Sequence, residues 1–402
     1  MVLNTRSGQH GPTTMFVMSR FASLLLLSLP LLAQQRTVSD VDVQRVHRAA
    51  LLIDTHNDLT SRTVLGFDIG SKGSDSHTDI QRLKAGNVGA VFFAAYVAAD
   101  YAKKNQSAHR ALEMIDTVRQ DIIDRYPNEF ALALTADDIL SARKRGRIAA
   151  LIGIEGGHAI EDSPRLLRQF YELGVRYMTL THTNTNGWAD SSGDTTNASV
   201  KRHGGLNELG KSIVLEMSRI GMMVDISHVD DKTFWAALAV SKAPLIASHS
   251  SCRALANVPR NMTDEMIAAL AKKGGVIQIN FNCGFLNEAT AKMETAFEKK
   301  LGKYDEAVFK KAFASGEIPR ATLAEVVAHI DHAVKIGGID SVGLGSDFDG
   351  IPCTPKGLDD VSKFPALTRA LLEKGYSAAD IHKIYGGNLL RVMRAVEKVK
   401  ER

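Results

Sequence analysis

The chain has 402 residues, of which 45% are apolar and 23% are charged. This composition is typical of soluble globular proteins and excludes a disordered chain or a multi-span membrane protein. Forty-nine basic and 45 acidic residues leave a net charge of +4, and only 6% of the residues are aromatic, so no nucleic-acid partner is expected. Three cysteines are too few for a disulfide scaffold and are not spaced as a zinc motif.

Residues 1–35 are predicted to be an export signal that is removed. Arg20 precedes an apolar run over residues 24–33, which is too short to span about 30 Å of hydrocarbon as a mature helix. An uncleaved N-terminal anchor is the alternative. Residues 391–402 are charged and lack a lipid-anchor tail. We therefore expect an exported protein, periplasmic or secreted, with a single domain over residues 36–402 and no membrane anchor in its mature form.

Short apolar runs alternate with helical patterns along this domain. The predicted strands are residues 51–55, 88–97, 149–155, 175–181, 221–227, 243–248, 274–280 and 341–346. Most of these runs are continuously apolar, which is typical of parallel strands covered by helices. The clearest predicted helices are residues 108–125, 164–173, 206–220, 232–241, 264–272 and 323–336.

Eight strand-then-helix units predict an α/β fold of the (β/α)8 TIM-like barrel type, with its active site at the C-terminal ends of the strands. The longest connection, residues 282–322, contains a polar helical insertion at residues 288–313. A doubly wound open sheet is the rival architecture. The absence of a glycine-rich turn after the first strand counts modestly against that rival.

Polar residues stand at the C-terminal ends of six of the eight predicted strands. The candidates for chemistry at these ends are His56, Asp58, Glu155, His182, His228, His249 and Asp347. In a barrel these strand ends converge on one mouth, so we expect the side chains to meet there. For any one of these histidines, the alternative is a hydrogen-bonded core residue.

The residue types in this group indicate metal binding. Imidazoles and carboxylates without thiolates suit zinc or a similar first-row ion. His56 and Asp58 are two residues apart on a strand and point to the same side, so one metal can take both. Glu155 carries two oxygens and can bridge two cations, while His228 and His249 would complete the second set.

Several segments resemble those of a known family. They are residues 53–59, 154–158, 176–182, 188–190, 225–229, 248–251, 257–261 and 345–350. As an ordered set they are similar to the membrane (renal) dipeptidases, zinc dipeptidases among the metal-dependent amidohydrolase barrels. The resemblance extends from about residue 45 to residue 395.

The resemblance implies two zinc ions per chain. His56, Asp58 and the bridging Glu155 would hold one ion, and Glu155, His228 and His249 would hold the other. A hydroxide that bridges the two metals would then attack the peptide bond of a dipeptide, in some members one with a C-terminal D-residue.

The resemblance also implies roles for residues around the metals. Glu155, His182 and Asp347 are the expected catalytic residues. His182 would contact the substrate carbonyl and stabilise the oxyanion, and Arg260 would bind the terminal carboxylate of the substrate. Asp347 would either anchor the substrate amino group or carry a proton to the leaving nitrogen. The family often forms dimers, so a homodimer is an open expectation.

Two further expectations accompany this interpretation. Cys252 and Cys283 follow neighbouring strands and are candidates for a disulfide in an oxidising compartment, with Cys353 free; simple packing of all three is the alternative. The rival functions are another binuclear-metal amide, β-lactam or lactone hydrolase on the same barrel and, less favoured, a non-catalytic binding protein.

Overall fold

The computed structural model describes Gly11, residues 37–72 and residues 76–401. The chain divides into two units, Met1–Gln35 and Arg36–Arg402, and every element given below belongs to the second. Apart from Gly11, the predicted signal at residues 1–35 lies outside the described residues. In the part of the chain that the structure describes, no helix combines the length and the apolar character needed to cross a membrane.

Nine strands occur in the described residues, and eight of them correspond to the predicted strands. They are β1 Leu52–Asn57, β2 Val88–Tyr96, β3 Phe130–Leu132, β4 Ile148–Glu155, β5 Val175–Thr179, β6 Met223–Asp225, β7 Ile246–Ser250, β8 Val276–Ile279 and β9 Val342–Leu344. Every residue of β1 and β4 is buried, as expected for strands with covered faces.

Eight parallel strands follow each other around a nearly closed barrel, in the order β1-β2-β4-β5-β6-β7-β8-β9. The chain beyond β9 returns to β1, where the Asp347 amide donates to the His56 carbonyl at 3.0 Å and the Asp58 amide donates to the Phe348 carbonyl at 2.8 Å. The predicted TIM-like barrel is thus confirmed. The same hydrogen bonds place Asp347 beside the end of β1.

The short strand β3 was not predicted. It pairs in parallel with the start of β4, where Phe130 lies opposite Ile148, whereas β5 begins to pair with β4 at Ile152. The two strands therefore contact successive parts of β4. Three residues are too few for a recognisable apolar pattern.

Helices cover the barrel. The α-helices are Asp40–Ala49, Thr60–Thr63, Ile80–Ala85, Ala99–Lys103, Ser107–Thr117, Ala136–Lys144, Pro164–Glu172, Glu208–Ile220, Asp231–Val240, Asp264–Lys272, Cys283–Leu286, Glu288–Leu301, Glu306–Ser315, Leu323–Gly337, Phe364–Lys374, Ala378–His382 and Asn388–Val399. The 3-10 helices are Gly157–Ile160, Ile339–Ser341 and Val361–Lys363, and π-helical turns occupy Val118–Asp124 and Lys383–Gly387.

Capping residues explain where several helices begin and end. The Ser163 hydroxyl accepts a hydrogen bond from the Leu166 amide at the start of Pro164–Glu172, as its type predicts. Helix Glu208–Ile220 ends at Gly221, whose φ of 79° lies in the left-handed region that glycine adopts without strain.

The long insertion after β8 contains two helices, whereas the sequence pattern predicted a single helical segment. Glu288–Leu301 and Glu306–Ser315 are separated at Gly302, which adopts a φ of 75°. A left-handed residue ends an α-helix, so the polar run 288–313 cannot continue as one rod.

One buried cluster fills part of the barrel and joins it to the last helix. Ile53, Phe92 and Tyr177, from three different strands, belong to the same cluster as Leu389 and Met393. Because successive strand residues face opposite sides, alternate positions form this layer. Helix Asn388–Val399 thereby packs against the barrel strands.

The predicted disulfide was wrong. Cys283 bonds to Cys353, with their Cα atoms 5.8 Å apart, and Cys252 is free and buried. The Cys252 amide donates to Nδ1 of His329 at 3.0 Å, so this cysteine packs against helix Leu323–Gly337. The disulfide joins the loop after β8 to the loop after β9.

Candidate metal centre and substrate site

Glu155, the last residue of β4, lies at the centre of a cluster of histidines. Its Oε1 is 3.0 Å from Nε2 of His228, 3.2 Å from Nε2 of His249 and 3.9 Å from Nε2 of His182. Its Oε2 lies 3.6 Å from Nε2 of His56, whose ring stacks on that of His249 with 3.7 Å between the ring centroids. The two carboxylate oxygens therefore lie nearest to different imidazoles, as bridging of two cations requires.

A second group of ligand atoms forms where β1 meets the loop after β9. Nε2 of His56 and Oδ2 of Asp58 are 3.2 Å apart, as their two-residue spacing predicts. Neither of these buried atoms has a hydrogen-bond partner in the described structure. Asp347 joins them in a set whose ligand atoms all lie within 4.8 Å of one another.

The arrangement fits divalent cations. Three overlapping groups of ligand atoms could hold a metal, namely His56 with Glu155 and His249, Glu155 with His182 and His228, and His56 with Asp58 and Asp347. Buried nitrogen and oxygen atoms without partners are costly unless an ion or a donor satisfies them. Nitrogen and carboxylate ligands without thiolate suit zinc and similar ions.

The ionisation states of Glu155, His228 and His249 also fit a bound cation. Burial raises the pKa of Glu155, but the histidines around it, His56 and His182 first, lower it well below its usual range. Burial lowers the pKa of His228 and of His249 well below that of a free imidazole. An ionised carboxylate and neutral imidazoles are the forms that bind metals.

His56 has a fixed orientation because a tyrosine hydrogen-bonds to the far side of its ring. The Tyr177 hydroxyl lies 2.8 Å from Nδ1 of His56 and donates to the Thr55 carbonyl at 3.1 Å. The phenol oxygen is then free to accept the Nδ1 proton, which leaves the Nε2 lone pair facing Glu155. Gly153 makes room for this ring, because a Cβ there would lie 2.0 Å from Cζ of Tyr177.

His249 is held in the same way by a serine and an aspartate. The Ser248 hydroxyl is 2.7 Å from Nδ1 of His249 and donates to Oδ2 of Asp225 at 2.6 Å. Asp225 also accepts from the Thr179 hydroxyl at 2.5 Å. Hydrogen bonds of this kind fix the tautomer and ring orientation of metal-binding histidines.

The loop after β9 holds Asp347 in an unusual conformation. Its φ is 63°, a left-handed value that non-glycine residues adopt only when the surroundings fix it. Asp54 accepts hydrogen bonds from the amide and hydroxyl of Ser346, at 2.8 and 2.6 Å. The Asn280 side chain donates to Oδ2 of Asp347 at 2.8 Å. Burial raises the pKa of Asp347 well above its usual range, and Asp58 adds to this effect.

Arg260 lies at the edge of the cluster, close to His249. Its Nη1 donates to Oγ of Ser250 at 2.7 Å and its Nη2 donates to the His249 carbonyl at 2.6 Å. Its guanidinium lies 5.4 Å from the ring of Phe285, and its buried Nε has no partner in the described residues. Burial lowers the pKa of Arg260 to about 10, so the group remains charged at neutral pH.

His182 lies beside the same cluster, in the loop after β5. Its ring lies 4.8 Å from that of Tyr96 and 4.4 Å from that of His228, measured between ring centroids. Burial lowers the pKa of His182 to about 4, so the ring is neutral at pH 7. With the Thr183 hydroxyl 3.2 Å from Nδ1, the proton can reside on Nε2.

The residues predicted from strand ends therefore come together in one mouth, and two supporting residues were missed. Tyr177 lies inside β5 rather than at its end. It pairs in register with Gly153 of β4, and a glycine within a strand indicates that a large side chain occupies the space beside it. Asn280 follows β8 directly. It is completely buried, and the strand-end rule would have identified it.

Comparisons with known proteins agree with this geometry. A family model described as membrane dipeptidase (Peptidase family M19) matches residues 41–402. Dipeptidase verJ of Clonostachys rogersoniana is 42% identical over 333 residues, which cover 81% of this chain and 77% of that protein.

Two solved structures share the fold. The probable dipeptidase PvdM from Pseudomonas aeruginosa has a TM-score of 0.75 at 24% identity, covering 89% of this chain and 98% of that one. A metallo peptidase from Rhodobacter sphaeroides, liganded with a phosphinate mimic of the dipeptide L-Ala-D-Ala, has a TM-score of 0.70 at 25% identity. That match covers 86% of this chain and 99% of the other. The chain belongs to the membrane dipeptidase family and is a dipeptide-hydrolysing enzyme of that family.

Proposed function

We propose that the protein is an exported, zinc-dependent dipeptidase that cleaves the peptide bond of free dipeptides, including dipeptides with a C-terminal D-residue. The observation that carries the proposal is the position of Glu155, whose Oε2 lies nearest to His56 and whose Oε1 lies nearest to His228 and His249. The related enzyme that binds a mimic of L-Ala-D-Ala supports this class of substrate.

Two zinc ions are proposed to share Glu155. His56 and Asp58 would complete the ligands of one ion, and His228 and His249 those of the other. When bound, two such ions would lower the pKa of a water molecule between them from 15.7 to about 7 and supply a nucleophile at neutral pH. Tyr177 would keep the ligand atom of His56 aimed at this position.

Arg260 is proposed to bind the terminal carboxylate of the dipeptide. A planar guanidinium can donate two parallel hydrogen bonds to a carboxylate. Two of its nitrogens already contact Ser250 and the His249 carbonyl, which would hold the group in place beside the ligands. A dipeptide bound there would extend from Arg260 towards Glu155.

His182 and Asp347 are proposed to act on the scissile bond. A neutral His182 with its proton on Nε2 can donate to the oxygen that becomes negative in the transition state. Asp347 lies within 4.8 Å of the metal-facing atoms of His56 and Asp58, where its carboxylate would take a proton from the attacking water and pass it to the leaving nitrogen. Anchoring the substrate amino group is the other role open to Asp347.

Export is proposed from the apolar run after Arg20, and the disulfide supports it. Cys283 and Cys353 are bonded, and disulfides persist mainly in oxidising compartments such as the periplasm or the extracellular space. Removal of the signal would leave residues 36–402 as the mature enzyme.

A panel of dipeptides tests the function. Metal-free protein and zinc-reconstituted protein are assayed on dipeptides with L- or D-residues at the C-terminal position, and on the corresponding dipeptide amides and simple lactones. We expect turnover of dipeptides only with zinc, and weak turnover of the amides because they lack the carboxylate that Arg260 would bind. Efficient turnover of lactones without dipeptide hydrolysis would favour the rival hydrolase.

A further inference from the structure

We infer that Asn280 is a positioning residue for the proposed reaction and that it acts by fixing the carboxylate of Asp347. The inference rests on the proposed function, in which Asp347 serves the substrate. Asn280 lies directly after β8, is completely buried, and donates from Nδ2 to Oδ2 of Asp347 at 2.8 Å.

The orientation of the Asn280 amide is determined by its other contacts. Its Oδ1 accepts a hydrogen bond from the backbone amide of Asn282 at 2.6 Å, and a backbone amide can only donate. Nδ2 must therefore face Asp347. The same nitrogen lies 3.5 Å from the His249 carbonyl oxygen, which is a second acceptor. An amide nitrogen suits this position because it carries two hydrogen-bond donors.

This hydrogen bond orients a side chain whose backbone is already anchored. The Asp347 amide is fixed to the His56 carbonyl, and the preceding Ser346 is held by Asp54. With Oδ2 held by Asn280, the other oxygen, Oδ1, lies on the side of Asp58, since a Cβ built at Gly350 would lie 2.8 Å from Oδ1 of Asp347 and 2.3 Å from Oδ2 of Asp58. Asn280 thus sets the direction in which Asp347 presents Oδ1.

An independent connection holds the same two loops together. Cys283, three positions after Asn280, is bonded to Cys353, six positions after Asp347. Such a tether limits how far the loop after β8 can move from the loop after β9. The Asn280–Asp347 hydrogen bond therefore joins two loops that the disulfide also holds close together.

The chemistry excludes aspartate at position 280 as a substitute. Asn280→Asp keeps the shape of the side chain but places an acceptor against Oδ2 of Asp347 and the His249 carbonyl. A residue that only fills space would tolerate this change, whereas a residue that donates to Asp347 would not. Like-charged carboxylates at this distance repel each other.

A double-mutant cycle tests the inference on the full-length, zinc-loaded enzyme. Asn280→Ala and Asn280→Asp are each assayed on a good dipeptide substrate, alone and combined with Asp347→Asn. We expect each single change at position 280 to lower kcat/KM by roughly 10- to 100-fold, since a misplacement of about 1 Å can cost that much. The loss of activity should affect kcat and KM in the same proportion as Asp347→Asn does. When Asp347→Asn is already present, a change at position 280 should lower kcat/KM by less than a further twofold.

Controls separate positioning from folding. Asn388→Ala removes another buried side-chain amide, one that donates to the Ile339 and Val342 carbonyls at the opposite end of β9, and should change kcat/KM by less than threefold. Zinc content and melting temperature are measured for every variant. At least one of the two Asn280 variants should match the wild type in zinc content; loss of zinc from both would show that Asn280 acts on the metal-binding residues instead of Asp347, and would overturn the inference. Full activity in Asn280→Asp, or an equally large loss in the Asp347→Asn background, would overturn the inference. An inactive wild-type enzyme would instead refute the proposed function.

Discussion

The hydroxyl of Tyr177 lies 2.8 Å from Nδ1 of His56, and this contact sets the direction of the opposite ring nitrogen. At the proposed metal site, a phenol takes the place of the carboxylate or carbonyl that more often supports a metal-binding histidine. The hydrogen bond joins β5 to β1 across the barrel interior, so the orientation of the His56 ring depends on how the barrel packs.

Tyr177→Phe should weaken zinc binding by roughly 10- to 100-fold, the usual effect of losing a partner of this kind. The ring would still fill its space, but His56 would lose its fixed orientation. Competition with a chelator measures the affinity. Tyr385→Phe is the matched control, because Tyr385 is equally buried and its hydroxyl contacts Thr368 away from the site. Equal zinc affinity in the two variants would refute this role for Tyr177.

Arg260→Ala should lower kcat/KM for dipeptides by roughly 100-fold, because loss of a buried charged contact to the substrate costs about 3 kcal/mol. The corresponding dipeptide amides should lose little, since they lack the carboxylate. The control is Arg168→Ala, which removes an arginine paired with Glu216 at 2.8 Å between two outer helices. If dipeptides and amides lost activity equally, Arg260 would not be the carboxylate receptor.

Replacing Cys283 and Cys353 by serine should lower the free energy of unfolding by about 2–4 kcal/mol, because the bond closes a long loop. The two cysteines are 70 positions apart in sequence. Urea unfolding measures the effect, and a reductant should destabilise the wild type to a similar extent. Cys252→Ser is the control and should remain sensitive to reductant. A wild-type stability that reductant leaves unchanged would argue against the bond.

The insertion contains a carboxyl group whose ionisation should oppose folding. The Glu294 carboxylate packs against the Gly284 backbone, where a Cβ would lie 1.8 Å from Oε2. Burial, with a contribution from Glu298, raises the pKa of Glu294 to about 7. The folded state therefore binds more protons than the unfolded state between about pH 4.5 and pH 7, so this group lowers stability as the pH rises through that range.

Glu294→Gln should accordingly raise the melting temperature relative to the wild type at pH 8 and leave it nearly unchanged at pH 4.5. Thermal unfolding at the two pH values measures the difference. The exposed Glu317→Gln is the control and should show no such pH dependence. A stabilisation of Glu294→Gln that is the same at both pH values would contradict the buried ionisation.

The barrel could be predicted because its strands are long apolar runs with polar residues at one end. His228 and His249 are far from His56 in sequence, but the convergence of parallel strand ends in a barrel brings all three together. The disulfide could not be predicted in this way. Cys252 and Cys283 follow neighbouring strands, but Cys252 packs against His329, and strand order does not determine which way a loop turns.

The residues that hold the site residues in place could not be predicted from the sequence either. Tyr177 stands among apolar residues in β5, so the sequence predicts only that it packs in the core. The structure was needed to show that its hydroxyl lies beside His56. Asn280 ends an apolar strand, as His56 and Glu155 do, but an amide is not a typical zinc ligand. The position of Asn280 at a strand end indicated a place in the site, but its side-chain type did not suggest a role there.

In the proposed site, Glu155 bridges two metal ions. Anomalous scattering at the zinc absorption edge, from crystals of the zinc-loaded protein, would show how many ions bind and which residues they contact. We predict two peaks per chain, one contacting His56, Asp58 and Glu155 and the other contacting Glu155, His228 and His249. A single peak, or two peaks of which only one contacts Glu155, would contradict this proposal.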